Sequence, residues 1–274
     1  MREGSRIKSI TALQSWSWRG HPAIQARVET ENGAQGIAPV QTGTSVGQYE
    51  VQFIHDGGPR WGGLGVQKAV QVVKEQIAPE LAGMDATRQR DIDQRMIELD
   101  GTPNKARLGG NCIAAASAAV LKAGAASVGL PLYQYIGGPN ACVLPTPGVL
   151  AVLGPKRYGG GERGGEKPTY SFYCHGYETF SDAHHACWQV RQEFRKLMLD
   201  RKGINAFRIA RLFIDQQGVF EHDRELWALM KEAIGRAGQE GRTGIQVDIA
   251  AGCYYDRESH LYKGLFSRED KTRD

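Results

Sequence analysis

Residues 6–18 (RIKSITALQSWSW) alternate apolar and polar positions and are rich in β-forming side chains, as are residues 23–30 (AIQARVET). A turn at Asn32-Gly33 and a short continuation to about Pro39 follow. This period of two predicts two or three antiparallel strands. Residues 41–50 (QTGTSVGQYE) form a loop of small residues. The period then lengthens. Residues 65–78 (GVQKAVQVVKEQIA) carry apolar positions at helical spacing and stop at Pro79. Residues 87–99 (TRQRDIDQRMIEL) do the same, entered by Thr87 and left at Gly101. Residues 110–127 (GNCIAAASAAVLKAGAAS) predict an Ala-rich helix, ended by Gly129 and Pro131, whose small side chains allow close packing. A sheet followed by helices predicts an α+β domain over residues 1–140.

A second pattern occupies residues 141–274. Residues 142–153 (CVLPTPGVLAVL) read as a buried strand pair or a strand and turn, and 169–175 (TYSFYCH) as a strand. Residues 182–200 and 224–238 have helical spacing, 206–214 (AFRIARLFI) fit either state, and 244–249 (GIQVDI) predict a buried strand. Strands alternating with helices predict an α/β layer. A closed eight-stranded barrel takes roughly 250 residues, and about 130 follow residue 140. The expectation is a partial barrel that this chain does not close alone. Left open, a parallel sheet would expose bare edges and uncovered apolar faces.

Composition narrows the classes. The hydrophobic content of 41% and charged content of 23% are those of an ordinary globular chain. No apolar run approaches the roughly 20 residues that span a bilayer, and the polar start Met1-Arg2-Glu3-Gly4-Ser5-Arg6 lacks a signal-peptide core. The expectation is a cytoplasmic protein with no membrane partner. The net charge of +4 is spread along the chain, which gives nucleic-acid binding little support. Five cysteines at irregular spacing, with no CxxC pair, argue against a disulfide framework. Cys174, His175, His184, His185 and Cys187 could be grouped as a zinc site. Structural zinc prefers tighter ligand pairs, so an amphipathic helix over 182–200 is the better reading.

Four stretches carry a resemblance. Arg19-Gly20-His21-Pro22 is similar to an RGNP turn, and residues 95–111 (RMIELDGTPNKARLGGN) to a MIELDGTxNKxxxGAN segment. Residues 122–136 (KAGAASVGLPLYQYI) are similar to a KAGAxxxGxPLYxxI segment. Residues 233–256 (AIGRAGQEGRTGIQVDIAAGCYYD) resemble a stretch ending in MDVAASEFY. All four belong, in this order, to the enolase family. The resemblance implies an α+β capping domain followed by the first part of a (β/α) barrel. It implies chemistry in which a proton next to a carboxylate is removed and the resulting charge is held by Mg2+. The barrel would be completed by a second polypeptide, in an oligomer.

The resemblance also points to individual residues. Asp248 matches the first acidic metal ligand and ends an apolar strand, where barrel folds collect catalytic groups. One carboxylate is a poor magnesium site by itself, and a strand-end or capping Asp is the structural alternative. The loop Thr42-Gly43-Thr44-Ser45 parallels the family's lid loop SGASTG, with Thr42 in place of the first serine; an ordinary surface loop is the other reading. Departures accompany these matches. No histidine occurs between Leu153 and Gly165, where the family has NGGxHAGN. At Ser171-Phe172-Tyr173 the family has QEF, so Phe172 stands for its substrate-contacting glutamate. No GDEGG segment with its general acid occurs around 206–218, where Asp215 is the nearest acid. The base lysine, the phosphate-binding residues and the remaining ligands would lie beyond Asp274.

Other motifs are weaker. The glycine-rich stretch 159–165 (GGGERGG) could offer backbone N–H groups to an anion, but it lacks the ending of a P-loop; a mobile site loop is the alternative. Gly62-Gly63-Leu64-Gly65 reads as helix entry rather than a dinucleotide fingerprint, and Arg208 and Arg211 could face an anion or solvent. The expected function is one subunit of a split enolase-like lyase acting on a small anionic carboxylate or phosphate other than 2-phosphoglycerate. A non-catalytic enolase-like assembly or regulatory protein is the alternative, and a truncated gene product a third possibility.

Overall fold

The computed structural model describes residues 4–43, 47, 49–154, 156–161, 165, 167–205 and 218–273. These fall into two compact units, one of residues up to Gly43 with Tyr49–Cys142, the other of Val143–Asp274.

In the first unit β1 (Ile7–Trp16), β2 (Pro22–Thr30) and β3 (Gln35–Gln41) form an antiparallel sheet in the order β1-β2-β3. Alternation puts Ile10, Ala12, Ile24, Ala26, Val28 and Ala38 on the buried face. That face packs on α4 (Gly110–Ser127), whose buried side is mostly small residues, alanine and glycine. The fit is tight at Gly36: a Cβ there would lie 2.0 Å from the carbonyl oxygen of Ala119 and 2.5 Å from the Ala123 nitrogen. Gly36→Ala should therefore push β3 off α4 and cost about 1–3 kcal/mol; a urea melt reads it, and an unchanged midpoint would show that the strand yields freely.

The helix predicted to stop at Pro79 runs on. α1 (Gln67–Val72) passes through a π-turn (Val73–Ile77) into α2 (Ala78–Leu81). The wider turn ends at Ile77, so Pro79 sits in the first turn of α2, where a missing N–H is tolerated. α1 is entered through Asp56, whose carboxylate accepts from the Gln67 and Lys68 amides at 3.0 and 2.8 Å. α3 (Gln89–Asp100) starts two residues after Thr87, because the Thr87 hydroxyl and amide both donate to Asp85, at 2.7 and 2.9 Å. A short α5 (Leu132–Gly137) follows Pro131.

Asp100 organises the segment after α3. Its buried carboxylate accepts from the Leu108 amide at 2.7 Å, the Thr102 amide at 2.9 Å and the Thr102 hydroxyl. Burial alone would raise the pKa of Asp100, but these donors outweigh it and hold the carboxyl below its ordinary value; Asp85 is lowered in the same way. Because the folded pKa is lowered, this stabilisation is fully present above the unfolded pKa, about 4. It is lost as pH falls through the folded value. Stability of the first unit should drop on acidification below about pH 4, and less steeply in Asp100→Asn; equal slopes would exclude a contribution from Asp100.

The second unit contains β4 (Gly148–Leu153), β5 (Thr169–Cys174), α6 (Phe180–Lys202), α7 (Asp223–Arg236), β6 (Thr243–Asp248) and a small hairpin of β7 (Tyr255–Asp256) and β8 (Leu261–Tyr262). Among the described residues the order is two strands, two helices and a strand, and α6 and α7 cover one face of the sheet. Three local expectations are corrected. The sheet, ordered β4-β5-β6, is antiparallel throughout rather than parallel. Of the two readings of residues 142–153 the strand pair is excluded: 148–153 form one strand and 142–147 none, since Pro145 and Pro147 have no N–H for a ladder, and Val143 and Leu144 are exposed. β6 is mostly exposed rather than buried; it is an edge strand among the described residues, and Val247 is its residue packed against the helix-side core.

α6 is capped by the Thr179 hydroxyl, which accepts from the Asp182 amide at 3.1 Å, and closes at Gly203. α7 begins with His222 Nδ1 accepting from the Arg224 amide at 3.0 Å and Glu225 accepting from the Glu221 and His222 amides. Its first residue, Asp223, is fully buried. Asp223 accepts Arg157 at 3.0 Å on one oxygen and 2.7 Å on the other, together with the hydroxyls of Tyr158 (2.8 Å) and Tyr170. Arg157 also donates to the Gly154 carbonyl at 2.7 Å. Burial disfavours the guanidinium's charge, yet Asp223 more than offsets it and Arg157 stays above its ordinary pKa; burial and Asp223 raise both tyrosines. The cluster fastens the segment before β5 to the start of α7.

Candidate functional site

The two faces of β5 differ in kind. Tyr170, Phe172 and Cys174 are buried among the side chains of α6 and α7, with the Phe172 ring edge-on to Phe194 at 5.7 Å. Thr169, Ser171 and Tyr173 turn the other way. Register extends this face: Thr169 pairs with Asp248, Ser171 with Gln246, and Tyr173 with Gly244 and Gly148. Gly148 has no side chain there because the Tyr173 ring fills the space, 2.4 Å from where a Cβ would sit. The open face thus offers a hydroxyl, an amide and a carboxylate in a row, with Asp248 at the C-terminal end of β6.

This arrangement corrects the expectation at Phe172. A substrate-contacting glutamate must stand on an open face, and Phe172 belongs to the core. The residues of that triplet on the Asp248 side are Ser171 and Tyr173.

Asp248 has a partner that the sequence reading missed. Its Oδ2 is in contact with the ammonium of Lys167. The Asp248 side chain is 52% exposed and that of Lys167 25%. The backbone carbonyl of Lys167 accepts from the Tyr254 hydroxyl at 2.8 Å, and Tyr254 is buried. The Tyr254 ring rests on Gly161, where a Cβ would come within 2.4 Å of it. At Gly160 a Cβ would be 1.8 Å from the carbonyl oxygen of Lys263. Gly160 and Gly161 therefore serve close packing on residues 254–264, rather than a free anion loop. A cleft of about 450 Å3 lies beside them, lined by residues including Cys253, Asp256, Arg257 and Lys263. Hydrogen bonds from Lys263, Ser259 and the Glu258 amide hold Asp256 at a pKa of about 2.

Magnesium prefers near-octahedral oxygen coordination, with carboxylates supplemented by water or substrate oxygens. Among the described residues no three His, Cys, Asp or Glu side chains converge. Asp248 already carries a cation. The described residues of this chain do not by themselves fit a magnesium site. Nor do the histidines of α6 form a metal site: His184 stacks on Phe180 and His185 on Trp188, while Cys187 is buried and raised by desolvation to a pKa of about 12.

In the first unit Thr42 stands near the start of the small-residue loop. Its hydroxyl lies 3.3 Å from His55 Nε2, and its carbonyl accepts from Arg19 at 3.0 Å. The Arg19 Nε and His55 Nδ1 atoms are buried without a hydrogen-bond partner. Gly43 follows Thr42 in the same unit. Thr44 and Ser45 lie outside the described residues, as do Arg163, Arg208, Arg211 and Asp215. Among the described residues, no helix is long and apolar enough to cross a membrane.

Comparison with known proteins agrees with the resemblance read from the sequence. A family model, the enolase N-terminal domain, matches residues 7–136. The enolase of Methanopyrus kandleri is 38% identical over 266 residues, covering 94% of this chain and 60% of its own length. That of Acidothermus cellulolyticus is 38% identical over 265 residues, with 94% and 59% covered. That of Methanocaldococcus jannaschii is 36% identical over 265 residues, with 96% and 61% covered. The chain spans about 60% of the length of the curated relatives it matches. With an α+β unit followed by a unit of strands and helices, the chain is a partial enolase-like protein.

Proposed function

We propose that this chain is one subunit of an enolase-like carbon–oxygen lyase that removes a proton next to the carboxylate of a small anionic substrate. The observation that carries this reading is the match to enolases across 94% of the chain, through to an Asp248 that stands on an open polar strand face. That position is where barrel enzymes place charge. The lysine base, further acidic groups and Mg2+ would come with barrel elements from a second polypeptide, in the cytoplasm. The edge of β6, which pairs with no further strand among the described residues, and the open face beside it are the surfaces such elements would cover. The absence of a GDEGG segment around residues 206–218, and of histidine from residues 153–165, favour a substrate other than 2-phosphoglycerate. Thr42 and the loop that follows it would close over the substrate.

Native purification with mass spectrometry tests this. The expected result is a complex with a chain rich in strand-end acidic residues, whose Mg2+-dependent dehydratase activity falls by about 100-fold or more in Asp248→Asn, the loss expected when one charge-stabilising group is removed. A folded monomer with no partner would overturn it. The Lys167–Asp248 pair favours a second reading, a non-catalytic enolase-like assembly protein, under which Asp248→Asn changes nothing in the complex.

A further inference from the structure

Asp248 and Lys167 are brought together by register. Thr169 faces Asp248 across β5 and β6, so the chain entering β5 passes the end of β6 with Lys167 two residues earlier. The lysine backbone is not left loose. Its carbonyl is held by the hydroxyl of buried Tyr254, and Pro168 restricts the residue before it to extended conformations. The ammonium is thereby aimed at one carboxylate oxygen of Asp248. A divalent cation approaching that carboxylate must displace the ammonium or bind beside it against like-charge repulsion. A half-exposed Lys–Asp pair is weak on its own account, so the block comes chiefly from that repulsion. The resemblance assigns a metal to Asp248; the geometry puts an internal cation there.

We propose that Lys167 is a built-in counter-ion that closes the Asp248 carboxylate to divalent cations in this chain. Further carboxylates are then required before a metal can enter, which makes metal loading dependent on assembly; this last step rests on the function proposed above. The block itself is a property of the isolated chain.

The test is a Mn2+ titration of the 274-residue chain, read by water-proton relaxation, with circular dichroism to verify the fold. Lys167→Met should bind Mn2+ about tenfold more tightly than the unaltered chain, the factor that about 1.4 kcal/mol represents. Lys167→Arg should bind as weakly as the unaltered chain, and Lys167→Met with Asp248→Asn should lose the gain. Lys167→Gln serves as a second neutral variant. Equal affinity in the unaltered, Met and Gln chains would overturn the proposal, as would a gain that survives Asp248→Asn. Because the readout needs no partner and no activity, failure to find a second polypeptide leaves this result intact, and the reverse also holds.

Discussion

Asp223→Ala should destabilise the second unit by about 3–5 kcal/mol, the cost of leaving a buried charge without its partner. The Arg157 guanidinium is 3% exposed and Asp223 fully buried, so water cannot replace the lost carboxylate. The hydroxyls of Tyr158 and Tyr170 would lose their acceptor as well. Arg157→Ala should be nearly as severe. The double variant Arg157→Leu/Asp223→Leu should recover part of the loss, because neither charge is then buried. Recovery should be more complete with both tyrosines replaced by phenylalanine. Urea unfolding followed by fluorescence of Trp227, whose ring meets Phe266 at 5.8 Å, reports on this region. Single variants within about 1 kcal/mol of the unaltered chain would mean that the pair is solvated in solution, as exposed pairs are. The N-terminus of α7 adds to the effect, since a helix start favours negative charge.

The second large effect separates two adjacent residues. Phe172→Glu should cost more than about 4 kcal/mol, because it removes a core ring and places a carboxylate with no partner among Phe194 and its neighbours. Ser171→Glu should change stability by about 0.5 kcal/mol or less, since its side chain stands on the open face beside Gln246. The contrast is read from the expression yield and urea midpoint of the two variants. Equal tolerance would show that the face assignment of β5 is reversed. The same pair bears on function, because a glutamate introduced at residue 171 would share the face of Asp248, whereas one at residue 172 could not.

Much of the fold was legible because it depends on local patterning. The alternation in residues 6–30 and the alanine spacing in 110–127 each specify one buried face, and the elements formed there. Departures occurred where a neighbour decided. Pro79 ends a helix by its chemistry, yet a π-turn upstream carries the helix past it. Thr87 is a good helix cap, but Asp85 engages its hydroxyl. GIQVDI is apolar enough for a buried strand, but its place at the sheet edge leaves it exposed.

The candidate site was legible in one residue and not in its surroundings. Asp248 could be named from the motif around it. Lys167 could not, because its meeting with Asp248 requires the antiparallel register of β5 and β6, and α6 and α7 intervene in the chain. The Arg157–Asp223 pair is likewise formed between residues 66 apart, and neither lies in a recognisable motif.

By itself the sequence determined the resemblance to enolases, the positions of most strands and helices, and the strand end that carries Asp248. Those follow from short-range periodicity and from motifs that lie within a few residues of one another. Only the tertiary structure decided that Phe172 belongs to the core while Ser171 faces outward, and that Asp248 already holds an ammonium. Side-chain direction in a strand reverses at every residue. Which face is buried, and which charge is neutralised, is therefore fixed by what packs across the sheet rather than by the local run of amino acids.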